Sequence, residues 1–120
     1  MRLQALRGAI TCDANTKDEI TEKTQRLVQE LLTRNELGHD DLVSIIFTAT
    51  EELTAEFPAT AARRLGLGDV ALLSARELTI DGALPRVVRV LVHCYTDRPR
   101  TELHHVYLGE ARSLRDDLPE

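Results

Sequence analysis

Two arginines stand in segments that are otherwise apolar or built of small residues. Arg89 lies in the middle of residues 87–92, where every neighbour is aliphatic, and Arg7 directly precedes Gly8. A guanidinium keeps its proton at any ordinary pH, so burial among aliphatic residues requires an anionic partner. For Arg89 two interpretations are open: an internal ion pair or pore-facing strand residue, and a cation that binds a ligand. Together the two cations favour a local site for a small dicarboxylate, since arginine binds carboxylates in a bidentate way.

Other polar residues are more ambiguous. Glu77 follows an apolar segment, and it is either a salt-bridge or turn carboxylate or an acceptor for a substrate hydroxyl. Arg63 and Arg64 follow Pro58 and are either solvated or part of an anion site. Ser74 does not lie in a Gly-x-Ser-x-Gly motif, and no set of a nucleophile with its base stands out in the sequence. These residues would fit a reaction that needs only substrate binding and electrostatic stabilisation.

Charge and composition argue against several classes of protein. The 15 Lys and Arg against 20 Asp and Glu give a net charge of −5, the wrong sign for a general binder of nucleic acid or anionic membranes. No apolar run approaches the roughly 20 residues that cross a bilayer. We expect a cytoplasmic protein with Cys12 and Cys94 reduced. Zinc-binding histidine spacings and glycine-rich phosphate loops are both absent from the sequence, so we expect no metal and no cofactor.

Periodicity predicts one domain over residues 1–120 with an α+β fold, a mixed β-sheet with two main helices. Strands are predicted at residues 2–10, 42–48, 70–74, 86–95 and 105–108. One helix begins after Thr16 and closes near Leu37, with Gly38 as its left-handed C-cap, and a shorter one follows Pro58. Residues 112–120 are expected to form a mobile tail. Two helices cover about five strands poorly, so a homo-oligomer is expected to bury one face of the sheet.

Six short segments occur in a specific order along nearly the whole chain: Arg7-Gly8-Ala9-Ile10-Thr11, Phe57-Pro58-Ala59 with Arg63, Ser74-Ala75-Arg76-Glu77, Val88-Arg89-Val90, Thr96-Asp97 and His105-Val106-Tyr107-Leu108. In this order they resemble the monofunctional chorismate mutases of the trimeric α/β-barrel (AroH-type) class. The resemblance implies a pseudo-α/β-barrel formed in a homotrimer, with active sites in clefts between neighbouring subunits. It also implies the Claisen rearrangement of chorismate to prephenate in phenylalanine and tyrosine biosynthesis.

Carried over by position, the resemblance implies catalytic roles for Arg89, Glu77 and Arg7. Arg89 would contact the breaking ether oxygen and a carboxylate, and Arg7 would bind a carboxylate. Glu77 and the Ser74 region would hold the ring hydroxyl. The further substrate-binding residues that the resemblance implies are Tyr107 as a donor to a carboxylate, Phe57, Leu72 and Leu73 as pocket lining, Ala75 and Arg76 beside Ser74, Arg63 as added positive field, and Leu114 with Arg115 at the entrance.

The sequence departs from the family pattern at three positions. Thr60 stands where some relatives carry lysine, Ser74 where others carry cysteine, and Leu73 where relatives carry threonine. Two other functions stay open on the sequence alone. One is an imine- or enamine-hydrolysing deaminase on a similar trimeric barrel, against which the contexts of Glu77 and Tyr107 argue. The other is a non-catalytic trimer that binds carboxylates.

Overall fold

A computed structural model describes residues 1–115 of the chain. Its strands are β1 (Arg2–Thr11), β2 (Leu42–Ala49), β3 (Ala71–Arg76), β4 (Val87–Thr96) and β5 (Val106–Leu108), and its helices are α1 (Lys17–Arg34) and α2 (Ala59–Ala62), the latter continued by a wider turn over Arg63–Leu67. Short 3₁₀ turns occupy His39–Asp41, Arg100–Glu102 and Gly109–Arg115. The predicted α+β architecture with a mixed sheet is confirmed, and each strand lies within two residues of its predicted bounds.

The five strands form one sheet in the order β3-β2-β4-β1-β5. The central strand β4 pairs antiparallel with both β1 and β2, while the outer pairs β2–β3 and β1–β5 are parallel. Paired residues place their side chains on the same face of a sheet. The registers therefore align one residue from each strand into a cross-sheet row, which consists of Tyr107, Ala9, Arg89, Thr48 and Ala75.

The hydrophobic core lies on the opposite face, between the sheet and the helices. Helix α1 buries Ile20, Leu27 and Leu31 against it, and Phe47 is its largest fully buried side chain. Alternation along β4 sends the valines at 88, 90 and 92 into this core and Arg89 to the other face. We call the face that carries Arg89 the outer face. Large apolar side chains remain exposed on it, among them Leu3, Leu73 and Tyr95.

The end of α1 differs from its prediction. The helix ends at Arg34, with Asn35 as its C-cap, and Glu36 takes the left-handed conformation with a φ of 53°. Gly38 has an ordinary φ of −98°. The Asn35 side chain donates to the carbonyls of Leu31 (2.8 Å) and His104 (2.9 Å) and accepts from the His104 amide (2.7 Å). This buried amide ties the helix end to the segment before β5, so the chain turns three residues earlier than expected.

The last described segment, Gly109–Arg115, forms 3₁₀ turns that bury Ala111 completely. It overlaps the first residues of the predicted tail, whose mobility stays a prediction, and residues 116–120 lie outside the described part of the chain. Among residues 1–115, no helix combines the length and hydrophobicity needed to cross a membrane.

Candidate active site

Arg89 is held at the centre of the outer face by one carboxylate. Its Nε donates to Oε2 of Glu77 at 2.5 Å, and Thr48 Oγ1 donates to Oε1 of the same carboxylate at 2.5 Å. The Glu77 amide donates to the carbonyl of Ala49 at 3.0 Å, which fixes the main chain directly after β3. The Arg89 side chain is 40% exposed and that of Glu77 18%. The predicted anionic partner of Arg89 is thus Glu77, but the guanidinium is less buried than its aliphatic neighbours in the sequence suggest.

The structure brings Arg7 and Tyr107 beside this pair. Arg7 is paired with Leu91 while Arg89 is paired with Ala9, so the two arginines are diagonal neighbours on the outer face. Diagonal positions in antiparallel strands lie roughly 7–8 Å apart, within reach of long side chains. Arg7 is exposed, and within residues 1–115 no carboxylate forms an ion pair with it. Tyr107 is the parallel partner of Ala9 and is half-buried.

A second group of predicted residues lines a cleft of about 480 Å³ at the ends of β2 and β3, which shares only Ala75 with the cross-sheet row. Its lining residues are Lys17, Ala49, Leu53, Thr54, Ala55, Glu56, Phe57, Pro58, Ser74, Ala75 and Arg76. The Phe57 ring is 67% exposed and offers the cleft an apolar surface. Arg76 Nη1 donates to the carbonyl of Thr50 at 3.0 Å, which holds this cation at the cleft wall.

Ser74 carries an unsatisfied group at the cleft. Its Oγ is buried and has no hydrogen-bond partner among the described residues. A buried hydroxyl without a partner is costly, and a ligand hydroxyl or carboxylate at the cleft would satisfy it. The Ser74 side chain lies on the opposite side of β3 from the cross-sheet row, since it pairs with the core residue Phe47.

Other predicted site residues lie apart from the cleft or outside what is described. Leu72 packs against the hydrophobic core and does not line this cleft, and its place in the pocket lining stays a prediction. Leu73 lies on the outer face, and neither Leu73 nor the exposed Arg63 lines the cleft. Leu114 packs beside Tyr107 against a small apolar cluster at the β5 end of the outer face. The side chain of Arg115 lies outside the described residues.

Several residues at these sites were not identified from the sequence, among them Thr48 and Lys17. Thr48 reads as an ordinary β-branched strand residue, and only the register places it beside Arg89. Lys17 reads as a solvated residue in the first turn of α1, but it lines the cleft. Thr54 and Ala55 also line the cleft, and Asn15 fixes their main chain. Its Oδ1 accepts from the amides of Thr54 (2.9 Å) and Ala55 (3.0 Å).

The two cysteines are buried on the core side, away from the outer face. Burial, with a smaller contribution from Glu19, raises the pKa of Cys12 to about 11, and burial raises the pKa of Cys94. Both are therefore protonated at neutral pH and poor nucleophiles. Among the described residues, no group of three or more His, Cys, Asp or Glu side chains is placed to hold a metal ion.

Comparisons of the sequence and of the structure with known proteins both match chorismate mutases. The family model for chorismate mutase type I matches residues 3–118. The chain is 46% identical over 117 residues to the chorismate mutase AroH of Thermus thermophilus, covering 97% of this chain and 96% of that one. It is 35% identical over 119 residues to the chorismate mutase AroH of Bacillus subtilis (strain 168), covering 98% and 94%. A solved chorismate mutase from Clostridium thermocellum matches with a TM-score of 0.90 and 44% identity, covering 92% of this chain and 98% of that chain.

Proposed function

The chain belongs to the chorismate mutase type I family and is an isomerase of that class, and from this premise we propose how its residues convert chorismate to prephenate. The reaction is an intramolecular rearrangement in which a C–O ether bond breaks as a C–C bond forms. It needs neither an external nucleophile nor a net proton transfer. The substrate must fold into a compact conformer, and negative charge develops on the ether oxygen as its bond breaks.

Arg89 stabilises that developing charge. Its Nε is anchored by Glu77 at 2.5 Å, and the Nη hydrogens take no part in this bond. They are positioned before substrate arrives, so they meet the oxyanion of the transition state without reorganisation. A donor that binds the transition state more strongly than the ground state raises kcat. This anchored guanidinium on the outer face is the observation that carries the proposal.

Arg7 and Tyr107 bind the substrate carboxylates and select its folded conformer. Arg7 has no carboxylate partner among residues 1–115, and its diagonal position lets it share a dicarboxylate with Arg89. Holding both ends of the substrate lowers the entropic part of the barrier. A rate acceleration on the order of 10⁶ requires about 8 kcal/mol, which positioning and charge stabilisation together supply.

The ring hydroxyl of the substrate is held by Glu77 and the Ser74 region. Glu77 already accepts from Arg89 and Thr48, and an ionised carboxylate has about four acceptor sites, so it accepts a further bond. Ser74 Oγ is buried without a partner in the described residues and lines the cleft beside Phe57.

We further propose that the chain acts as a homotrimer whose active sites lie between subunits. The cleft with Phe57 and Ser74 is not lined by Arg7, Glu77, Arg89 or Tyr107 of the same chain. In addition, the outer face leaves large apolar side chains exposed, as expected for a surface that another copy covers. In this arrangement the cleft of one subunit faces the cross-sheet row of its neighbour.

The loss of chorismate absorbance after addition of purified protein tests the activity. We expect first-order conversion to prephenate without added metal or cofactor. Protein that binds chorismate without consuming it would contradict the proposed function.

Mixed trimers test the shared site. Arg89→Ala disables the row, and the double substitution of Phe57 and Ser74 by Ala disables the cleft. If both halves come from different subunits, refolding the two inactive variants together restores about a quarter of the wild-type rate, because about three quarters of randomly assembled trimers are mixed and each holds one intact site of three. No recovery, with mixed trimers verified by mass, would place the whole site within one subunit.

A further inference from the structure

We propose that Thr48 is a positioning residue that keeps the Arg89 guanidinium available to substrate, an inference that rests on the role of Arg89 proposed above. Thr48 lies between Arg89 on β4 and Ala75 on β3 in the cross-sheet row. Its Oγ1 donates to Glu77 Oε1 at 2.5 Å, and Arg89 Nε donates to Oε2 at 2.5 Å. The carboxylate thus gives one oxygen to each side chain.

This division decides which Arg89 hydrogens remain for substrate. Arginine and a carboxylate commonly pair through two parallel hydrogen bonds, which use two guanidinium nitrogens at once. In this structure Thr48 donates to Oε1 of Glu77 and holds that oxygen turned toward β2, and the ion pair with Arg89 uses Nε alone. Without the hydroxyl, Oε1 turns toward Arg89 and takes an Nη hydrogen. The substrate must then displace a carboxylate oxygen from the group that is to stabilise its own charge.

The main chain of Glu77 does not by itself fix the orientation of the carboxylate. The amide of Glu77 donates to the carbonyl of Ala49 at 3.0 Å, which fixes its backbone. The torsion that turns a glutamate carboxylate is broad and has no strong preferred angle. Hydrogen bonds to both oxygens, from Thr48 and from Arg89, therefore define the carboxylate plane. A misplacement of about 1 Å at a catalytic group can cost roughly 10²-fold in rate.

Two substitutions separate the hydroxyl from the shape of the side chain. Thr48→Val keeps the β-branched shape and removes the donor, whereas Thr48→Ser keeps the donor and removes a methyl group. We expect Thr48→Val to lower kcat about 10-fold or more, since hydrogen bonds to charged groups contribute on that scale. KM for chorismate should change less, and Thr48→Ser should retain kcat close to wild type. Thr48→Ala serves as a second variant without the hydroxyl should the valine variant fail to fold.

The dependence on Glu77 gives an independent readout. Because Thr48 acts through Glu77, adding Thr48→Val to Glu77→Gln should lower kcat no further than Glu77→Gln alone. Thr79→Val is the matched control, since Thr79 Oγ1 donates to Glu51 at 3.3 Å outside the site, and it should leave kcat unchanged.

The outcomes distinguish this inference from the proposed function. A hydroxyl-free variant that turns over like wild type, a serine variant as slow as the valine variant, or additive losses in the double variant would overturn the role of Thr48. Those results leave the proposed function standing if Arg89→Ala is inactive. Full turnover by Arg89→Ala would instead overturn the role of Arg89, and the Thr48 inference with it.

Discussion

Arg89 has the largest role expected of any single side chain. Removing one preorganised donor to a developing oxyanion typically costs about 10²–10³ in kcat, so Arg89→Ala should lose at least that much. Arg89→Lys should not restore turnover, because an ammonium cannot bond Glu77 through one nitrogen and substrate through two others. Steady-state kinetics on folded protein measure both, with Arg26→Ala on the exposed side of α1 as the control. Turnover near wild type in the lysine variant would show that charge alone suffices.

Cys12 gives a prediction about stability and pH. Burial raises its pKa from the ordinary value of 9.0 to about 11, so the folded state holds a proton that the unfolded chain releases. The unfolded state then binds fewer protons, and the free energy of unfolding falls as pH rises from 9.0 toward about 11. Below pH 9.0 this contribution is fully present.

The test compares unfolding midpoints across that range in wild type and Cys12→Ala. The alanine variant should be less stable at neutral pH, because it leaves a cavity, but it should lose less stability above pH 9.0. Parallel pH profiles for the two proteins would show that Cys12 does not cause the alkaline loss.

At the residue scale, the sequence identified the charged side chains that the structure brings together on the outer face, but not how they are held. Arg89 in an aliphatic segment required an anion, and Glu77 stood among the candidates, yet the pairing depends on β4 and β3 both neighbouring β2. Thr48 was missed because a threonine in a strand is explained by β-propensity alone. The packing of Leu72 against the core could not be predicted from the resemblance, which transfers positions along the chain and does not report which side of a strand a side chain occupies.

At the scale of elements, Gly8 determines how closely α1 and β5 approach β1. A methyl group at this position would lie 3.0 Å from the Val106 carbonyl oxygen and 3.0 Å from Leu27 Cδ1. The atoms that approach Gly8 therefore belong to the main chain of β5 and to core side chains of α1, on the face of the sheet opposite Arg7. We expect Gly8→Ala to lower the free energy of unfolding by about 1–3 kcal/mol. In Gly68→Ala the nearest atom lies at 3.9 Å, so denaturant unfolding should show no loss there.

The end of α1 gives a second prediction at this scale. Glu36 adopts a φ of 53°, which disfavours side chains with a Cβ, and its carboxylate pairs with Arg98 at 2.7 Å while 76% exposed. Glu36→Gly and Glu36→Gln both remove the ion pair, but only glycine relieves the backbone. The glycine variant should be more stable than the glutamine variant by about 0.5–1 kcal/mol in denaturant unfolding. Equal stabilities would mean that the left-handed turn costs nothing here.

Element boundaries could be predicted where local signals decide them. Thr16 caps α1 as its sequence indicates, since its hydroxyl accepts from the Glu19 amide at 3.1 Å. The opposite end could not be predicted, because the deciding contacts join Asn35 to His104, 69 residues away. The buried hydrogen bonds of Asn35, and not the local glycine signal at Gly38, determine where the helix ends.

At the scale of the whole molecule, an acidic chain must concentrate positive charge where a substrate with two carboxylates binds. The net charge is −5, yet the outer face gathers Arg7 and Arg89, and the cleft adds Arg76 and Lys17. Composition gives the net charge of the chain, but it could not predict this local reversal of sign. The reversal requires the sheet order, which sequence periodicity does not specify.

The exposed apolar residues of the outer face carry the last prediction, because the proposed site, if it is shared between subunits, cannot survive their separation. Leu3 is 55% exposed and paired across strands with Tyr95, which is 46% exposed. If a neighbouring subunit covers this face, Leu3→Asp places a charge in that contact and should shift the protein from trimer to monomer while its circular dichroism stays that of a folded chain. The monomer holds only separate halves of each site, so chorismate turnover per chain should fall and recover as protein concentration rises. Thr33→Asp, on the exposed side of α1, adds the same charge and should change neither mass nor turnover. A monomer with full, concentration-independent activity would place the complete site in one chain, and a persistent trimer would place the subunit contact elsewhere.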